Sequence, residues 1–178
     1  MARSYGLYTG NLRKAILELK FHRREYLGHR LGALLARSFE TLPEPDSAIV
    51  VPVPLHPSRK RQRGFNQAEV LARGLVRKLR KEDRGLQLVV GSLGRTRATV
   101  PQIGLSARAR RENVRGVFSV NRPEQVRKRT VVLIDDVMTT GATLSACAGA
   151  LKRAGASRVL ALSLARATPQ FPDLESSA

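Results

Sequence analysis

Val131-Val132-Leu133-Ile134-Asp135-Asp136-Val137-Met138-Thr139-Thr140-Gly141-Ala142-Thr143 runs from an apolar segment through two adjacent carboxylates into a small, hydroxyl-rich loop. Residues 130–134 are few, mostly β-branched and apolar, the pattern of a parallel strand buried on both faces. Residues 144–152 then read as a helix. A helix that starts just after a Thr/Gly loop has first-turn N–H groups without intrahelical partners, and these, with the positive end of the dipole, bind a phosphate monoester. Thr139, Thr140 and Thr143 add hydroxyl donors, with Gly141 and Ala142 between them. Asp135 and Asp136 fall at the carboxyl end of the strand, where open α/β sheets place their ligand crevice, and a carboxylate there accepts hydrogen bonds from sugar hydroxyls. The segment therefore reads as a site for a phosphorylated sugar. Two adjacent like charges also call for a ligand, metal or cation beside them.

The rest of the chain agrees with one soluble domain. Its 178 residues, 42% of them hydrophobic, suffice for a single core. No apolar run approaches a membrane span, and residues 1–10 lack the apolar region of a signal peptide, so no membrane association and a cytoplasmic location are expected. Cys147 is the only cysteine, which leaves no intrachain disulfide and no multi-cysteine zinc site. Its place on the apolar face of a helix points to packing. The formal charge is +18, from 32 Lys and Arg against 14 Asp and Glu. Arginine clusters at 59–63, 108–111 and 127–129 would suit a polyanionic substrate or a nucleic-acid backbone. An aromatic content of 4% with no tryptophan argues against a single-strand module built on stacking platforms. Gly-Lys-Ser/Thr, His-Glu-x-x-His and Gly-x-Ser-x-Gly are all absent, which removes the P-loop, zinc-peptidase and nucleophile-elbow readings.

Apolar spacing predicts helices over 11–21 and 26–39, a short strand over 48–53 and a basic, turn-rich loop over 55–65. A capping-box variant at 66–69 opens a helix reaching about residue 81. Further strands are expected at 86–90 and 158–164. A long arginine-bearing loop is expected over 94–113 with one short helix from Ser106, then renewed apolar alternation over 114–120. The organisation is a single domain over 1–178: a helical N-terminal element (1–45), an α/β core (46–166) and a polar tail (167–178). Alternating strands and helices make the sheet mainly parallel.

The 131–143 segment resembles the ribose-phosphate signature of type I phosphoribosyltransferases, whose common substrate is phosphoribosyl pyrophosphate (PRPP). Tyr8-Thr9-Gly10, Lys20-Phe21, Val51-Pro52-Val53-Pro54-Leu55, Arg63-Gly64-Phe65-Asn66-Gln67, Arg95-Thr96, Gln102, Leu105, Arg110, Asn113 and Phe118 occur in order around it. Together they resemble the ComF (competence protein F) family, which includes members linked to DNA uptake.

That resemblance implies a type I phosphoribosyltransferase-like α/β fold, with the two N-terminal helices as a small hood-like element. It implies a PRPP site in which Asp135, Asp136, Thr139, Thr140, Gly141, Ala142 and Thr143 hold the ribose 5-phosphate. Arg59, Lys60 and Arg63 would meet the pyrophosphate, and Arg95 and Arg97 would reach it from a flexible loop. Asp135 and Asp136 are the expected catalytic residues, with Asp136 deprotonating the acceptor. Magnesium would be carried by PRPP with no direct protein ligand. Many ComF members begin with a cysteine-rich zinc module; these residues contain none, so no zinc is expected. The alternatives to phosphoribosyl transfer are a PRPP sensor or accessory protein acting with DNA or a DNA-translocating helicase in competence, and a nucleic-acid-binding module.

Overall fold

Five parallel strands in the order β1-β7-β6-β2-β3 form the sheet of the computed structural model, which describes residues 1–21, 24–43, 48–81, 86–96 and 116–168. In chain order the elements are β1 (Ala2–Leu7), α1 (Gly10–Phe21), α2 (Glu25–Phe39), β2 (Ile49–Pro52), α3 (Pro57–Arg63), α4 (Gln67–Arg80) and β3 (Gln87–Leu88). After them come β4 (Leu93–Arg95), β5 (Phe118–Val120), β6 (Thr130–Met138), α5 (Ala142–Arg153) and β7 (Arg158–Arg166). β4 and β5 pair antiparallel as a separate two-stranded sheet.

Alternation along the central strands explains the layers, because successive strand side chains point to opposite faces. Val50, Val132 and Ile134 join a core with Leu19, Leu31, Leu35, Phe39, Leu71, Leu75 and Leu79 from α1, α2 and α4. Their neighbours Ile49, Val51, Val131 and Leu133 join the other core, with Cys147 and Leu151 of α5 and Val117 and Phe118 of the β4–β5 unit. Helix α2 is thus part of the main core. Its backbone lies directly against α4: a Cβ placed on Gly32 would collide with the carbonyl of Leu71, and one on Gly74 with the carbonyl of His29.

Five elements differ from the sequence-based expectation, β4 among them, since its pairing with β5 takes Gly94 and Arg95 out of the flexible loop expected over 94–113. β1 was not anticipated, since residues 2–7 include Arg3, Ser4 and Gly6 and carry little apolar signal. It is an edge strand held through backbone pairing with β7 and by Ser4 Oγ, 2.7 Å from Ser163 Oγ. β6 does not stop at Ile134: backbone pairing with Ser163, Ala165 and Arg166 of β7 carries it through both aspartates to Met138. The 55–65 stretch is not a plain loop. Pro57 sits in the first turn of α3, His56 Nδ1 accepts the N–H of Ser58 at 3.3 Å, and Gly64 closes the helix at φ 86°, each a feature that starts or ends a helix. Finally, the strand expected over 86–90 is reduced to Gln87–Leu88 against Ile49 and Val50. Arg97 and the helix expected from Ser106 lie outside the described residues, as does most of the tail.

Candidate functional site

β6 runs from the buried centre of the sheet to its carboxyl edge, so the fold delivers Asp135 and Asp136 to the position where the helices leave room for a ligand. The pleat then separates the two charges. Asp136 shares the α1 face, and its Oδ2 lies 3.4 Å from Nζ of Lys20, the penultimate residue of α1. Its Oδ1 accepts the N–H of Val137 at 2.7 Å. Asp135 faces the other way, toward Arg95 on β4 and Cys147 on α5, which both interact with it electrostatically. Its Oδ1 accepts the N–H of Asp136 at 2.9 Å.

Asp135 is surrounded by protein although part of its surface meets solvent. Burial, reinforced by the charge of Asp136, pushes its carboxyl up to about 8; the Asp136 N–H and the charges of Lys20 and Arg95 pull the other way. Arg95 is held below the ordinary guanidinium range by burial and then by repulsion from Arg59, and its guanidinium lies over the Phe118 ring, 5.6 Å from the centroid. Two cations that repel one another beside an acidic pair form an arrangement that gains from an anion between them. Cys147 lies below this cluster with no exposed surface. Burial, then the nearby Asp135, raises its thiol well above the ordinary range, so it packs and is not an activated nucleophile.

The small loop follows β6 directly. Gly141 takes φ 74°, a left-handed conformation that glycine adopts without strain, and so turns the chain into the first turn of α5. Thr140 Oγ1 approaches the N–H of Ala142 at 3.4 Å, a long contact that leaves the hydroxyl able to exchange partners. Thr139 and Thr143 are half-buried and Thr140 is exposed. The helix start, three hydroxyls and two carboxylates therefore lie consecutively at one sheet edge, the layout expected from the sequence.

The basic residues divide. Arg59 belongs to the cluster through Arg95, whereas Lys60 is exposed. Arg63, the last residue of α3, is engaged elsewhere: it donates to Gln67 Oε1 at 3.1 Å and lies over the Phe21 ring at 5.6 Å. Arg97 is outside the described residues. Lys20, quoted above only as part of the family pattern, is a member of the site to which no role was given, although Ile16, Leu19 and Lys20 have i, i+3, i+4 spacing, which puts Lys20 on the buried face of α1. It is 4% exposed, and a lysine so buried needs a charged partner. Asn66 likewise fixes the site's flank, accepting the N–H of Ala68 at 3.1 Å and donating to the Val53 carbonyl at 3.0 Å.

The fold is that of the type I phosphoribosyltransferases, and the chain belongs to the phosphoribosyl transferase domain family, whose model matches residues 62–175. Within it the chain's relatives are the ComF proteins. It is 38% identical over 165 residues to DNA utilization protein YhgH of Escherichia coli K12, a match covering 89% of this chain and 69% of that protein. It is 34% identical over 169 residues to competence protein F of Haemophilus influenzae, covering 91% of this chain and 71% of that one. Among solved structures, glutamine PRPP amidotransferase from B. subtilis superposes with a TM-score of 0.50 at 22% identity, over 76% of this chain. The chain spans 25% of that enzyme's length, and the likeness is one of fold.

Proposed function

We propose that this chain binds PRPP with magnesium and transfers its phosphoribosyl group to an acceptor nucleophile, releasing pyrophosphate. The observation that carries this reading is the convergence at one sheet edge of the acidic pair, the hydroxyl-lined start of α5 and the mutually repelling Arg59 and Arg95. The 5-phosphate would take the α5 first turn with Thr139, Thr140 and Thr143, and the ribose hydroxyls would take the acidic pair. The pyrophosphate would take Arg59 and Arg95, whose repulsion it would relieve.

Among the described residues no three His, Cys, Asp or Glu side chains gather to hold a metal. The donor set suits magnesium carried on the ligand's own diphosphate and hydroxyls, where it would neutralise charge leaving with pyrophosphate. Transfer breaks the bond from ribose C1 to the pyrophosphate oxygen and joins C1 to the acceptor, whose proton must go to a base. By the resemblance that role falls on Asp136, with Asp135, whose Oδ1 accepts the Asp136 N–H, beside it. Calorimetric titration of PRPP and magnesium should show binding to wild type that is lost in Asp135→Asn/Asp136→Asn, and a screen of amines and nucleobases should release pyrophosphate. Absence of wild-type binding would refute the reading.

The names of the relatives favour a second reading, a PRPP-responsive accessory protein in DNA uptake. Under it PRPP binds as above but no acceptor releases pyrophosphate. A DNA-tracking arginine surface receives less support: 127–129 precede β6 at the opposite end of the strand from the acidic pair, while Arg59 belongs to the site.

A further inference from the structure

The last turn of α1 touches two parts of the site at once. Lys20 meets Asp136 on β6, and the next residue, Phe21, lies under the guanidinium of Arg63 at the end of α3. Arg63 in turn holds Gln67, the first residue of α4. Lys20 is almost without exposed surface, whereas the Asp136 side chain keeps 15% of its own. The lysine thus approaches the carboxylate from the protein side and leaves the open side to a ligand. The Asp136 carboxylate is consequently gripped at both oxygens, by the Val137 N–H at one and the ammonium at the other. Among the described residues, Asp135 is gripped at Oδ1 alone.

We propose that Lys20 is a positioning residue for the ribose side of the site: it sets the Asp136 carboxylate for the ligand's hydroxyls and makes the seating of α1 on β6 part of ligand binding. This rests on the PRPP reading above. Lys20 does not touch the ligand; it acts through Asp136. Its charge also moderates the repulsion between the two carboxylates, since Lys20 is one of the groups lowering the Asp135 carboxyl. Among the described residues, the charged or titratable groups around the pair are Lys20 from α1, Arg95 from β4 with Arg59 behind it on α3, and Cys147 from α5. Of these only Lys20 reaches the Asp136 side of the strand.

The test is calorimetry with two probes, PRPP with magnesium and inorganic diphosphate with magnesium, on wild type, Lys20→Met, Asp136→Asn and Lys20→Met/Asp136→Asn. In Lys20→Met, PRPP is expected to bind at least tenfold more weakly, while diphosphate, which has no ribose, binds as in wild type. The pH at which PRPP affinity falls is expected to move upward in that variant, because removing the cation raises Asp135 further. The double variant should bind PRPP nearly as Asp136→Asn does, since a residue acting chiefly through Asp136 adds little once that charge is gone, its direct pull on Asp135 being the smaller part. If Lys20→Met fails to fold, the double variant, which carries neither charge, supplies the comparison with Asp136→Asn. Equal loss of both probes in Lys20→Met, unchanged PRPP affinity, or a further loss in the double variant as large as that of Lys20→Met alone would each overturn the proposal. Failure of wild type to bind PRPP would instead overturn the reading beneath it.

Discussion

Asp135 accepts the backbone N–H of Asp136 at 2.9 Å, so the two carboxylates of the site are tied together through one peptide while their side chains face opposite layers of the fold. That bond favours the charged form of Asp135, yet burial and the neighbouring carboxylate outweigh it and raise the group to about 8. A carboxyl raised in the folded state keeps a proton that the unfolded chain has already lost. Its stabilising contribution is complete below the ordinary carboxylate range and is lost as pH climbs toward about 8. Asp135→Asn should therefore gain on wild type between pH 4.5 and pH 8.5 by on the order of 1 kcal/mol or more. Urea midpoints at several pH values measure this; profiles that stay parallel would contradict the assignment.

The close approach of α2 and α4 predicts opposite outcomes for two glycines in helices. At Gly74 a methyl group meets the backbone of His29, which cannot move without displacing α2. Gly74→Ala should cost about 1–3 kcal/mol as overpacking. At Gly149 in α5 the nearest atom is the guanidinium end of Arg153 at 3.3 Å, which can swing away. Gly149→Ala should stabilise by about 0.5–1 kcal/mol through helix propensity. Thermal melting of the two variants against wild type checks the contrast.

These cases show what the sequence discloses and what it does not. The strand, acidic pair, small loop and helix around residues 130–153 are legible because apolar run, charges and glycine follow one another locally. β1 is not, because an edge strand is held by backbone bonds to β7, a partner at the far end of the sequence, and needs little apolar patterning of its own. α3 is hidden by its charges: Lys60, Arg61 and Arg63 look like a solvated turn, yet they occupy its last turn, where cations suit the helix dipole. Lys20 carries a readable signal, a lysine in register with Ile16, but only the fold names Asp136 as its partner.

The division among the arginines is testable with inorganic diphosphate and magnesium as ligand. Arg59 and Arg95 repel one another, so an anion that binds both should raise the melting temperature of wild type. Arg59→Gln and Arg95→Gln should each weaken binding by roughly tenfold or more, the worth of a hydrogen bond to a charged group. Arg63→Gln should leave diphosphate affinity nearly unchanged and instead loosen the contact with Phe21 and Gln67. Equal losses at all three positions would place Arg63 in the same anion site and remove the distinction drawn here.

Cys147 offers a probe of the same region without altering it. The thiol has no exposed surface, lies in the core formed by α5 and the β4–β5 unit, and is raised by burial and by Asp135. Attack by a thiol reagent requires the thiolate, so the native protein should react with an aromatic disulfide far more slowly than the unfolded chain. Its rate should rise with denaturant in step with opening of the core. Cys147→Ser places a hydroxyl in a mainly apolar core, with Asp135 and Arg95 its charged neighbours, and should cost up to about 1–3 kcal/mol, whereas Cys147→Ala should cost less. Rapid labelling under native conditions, with stability unchanged in Cys147→Ser, would mean that α5 opens readily over the acidic pair and that its first turn is not the fixed platform a phosphate requires.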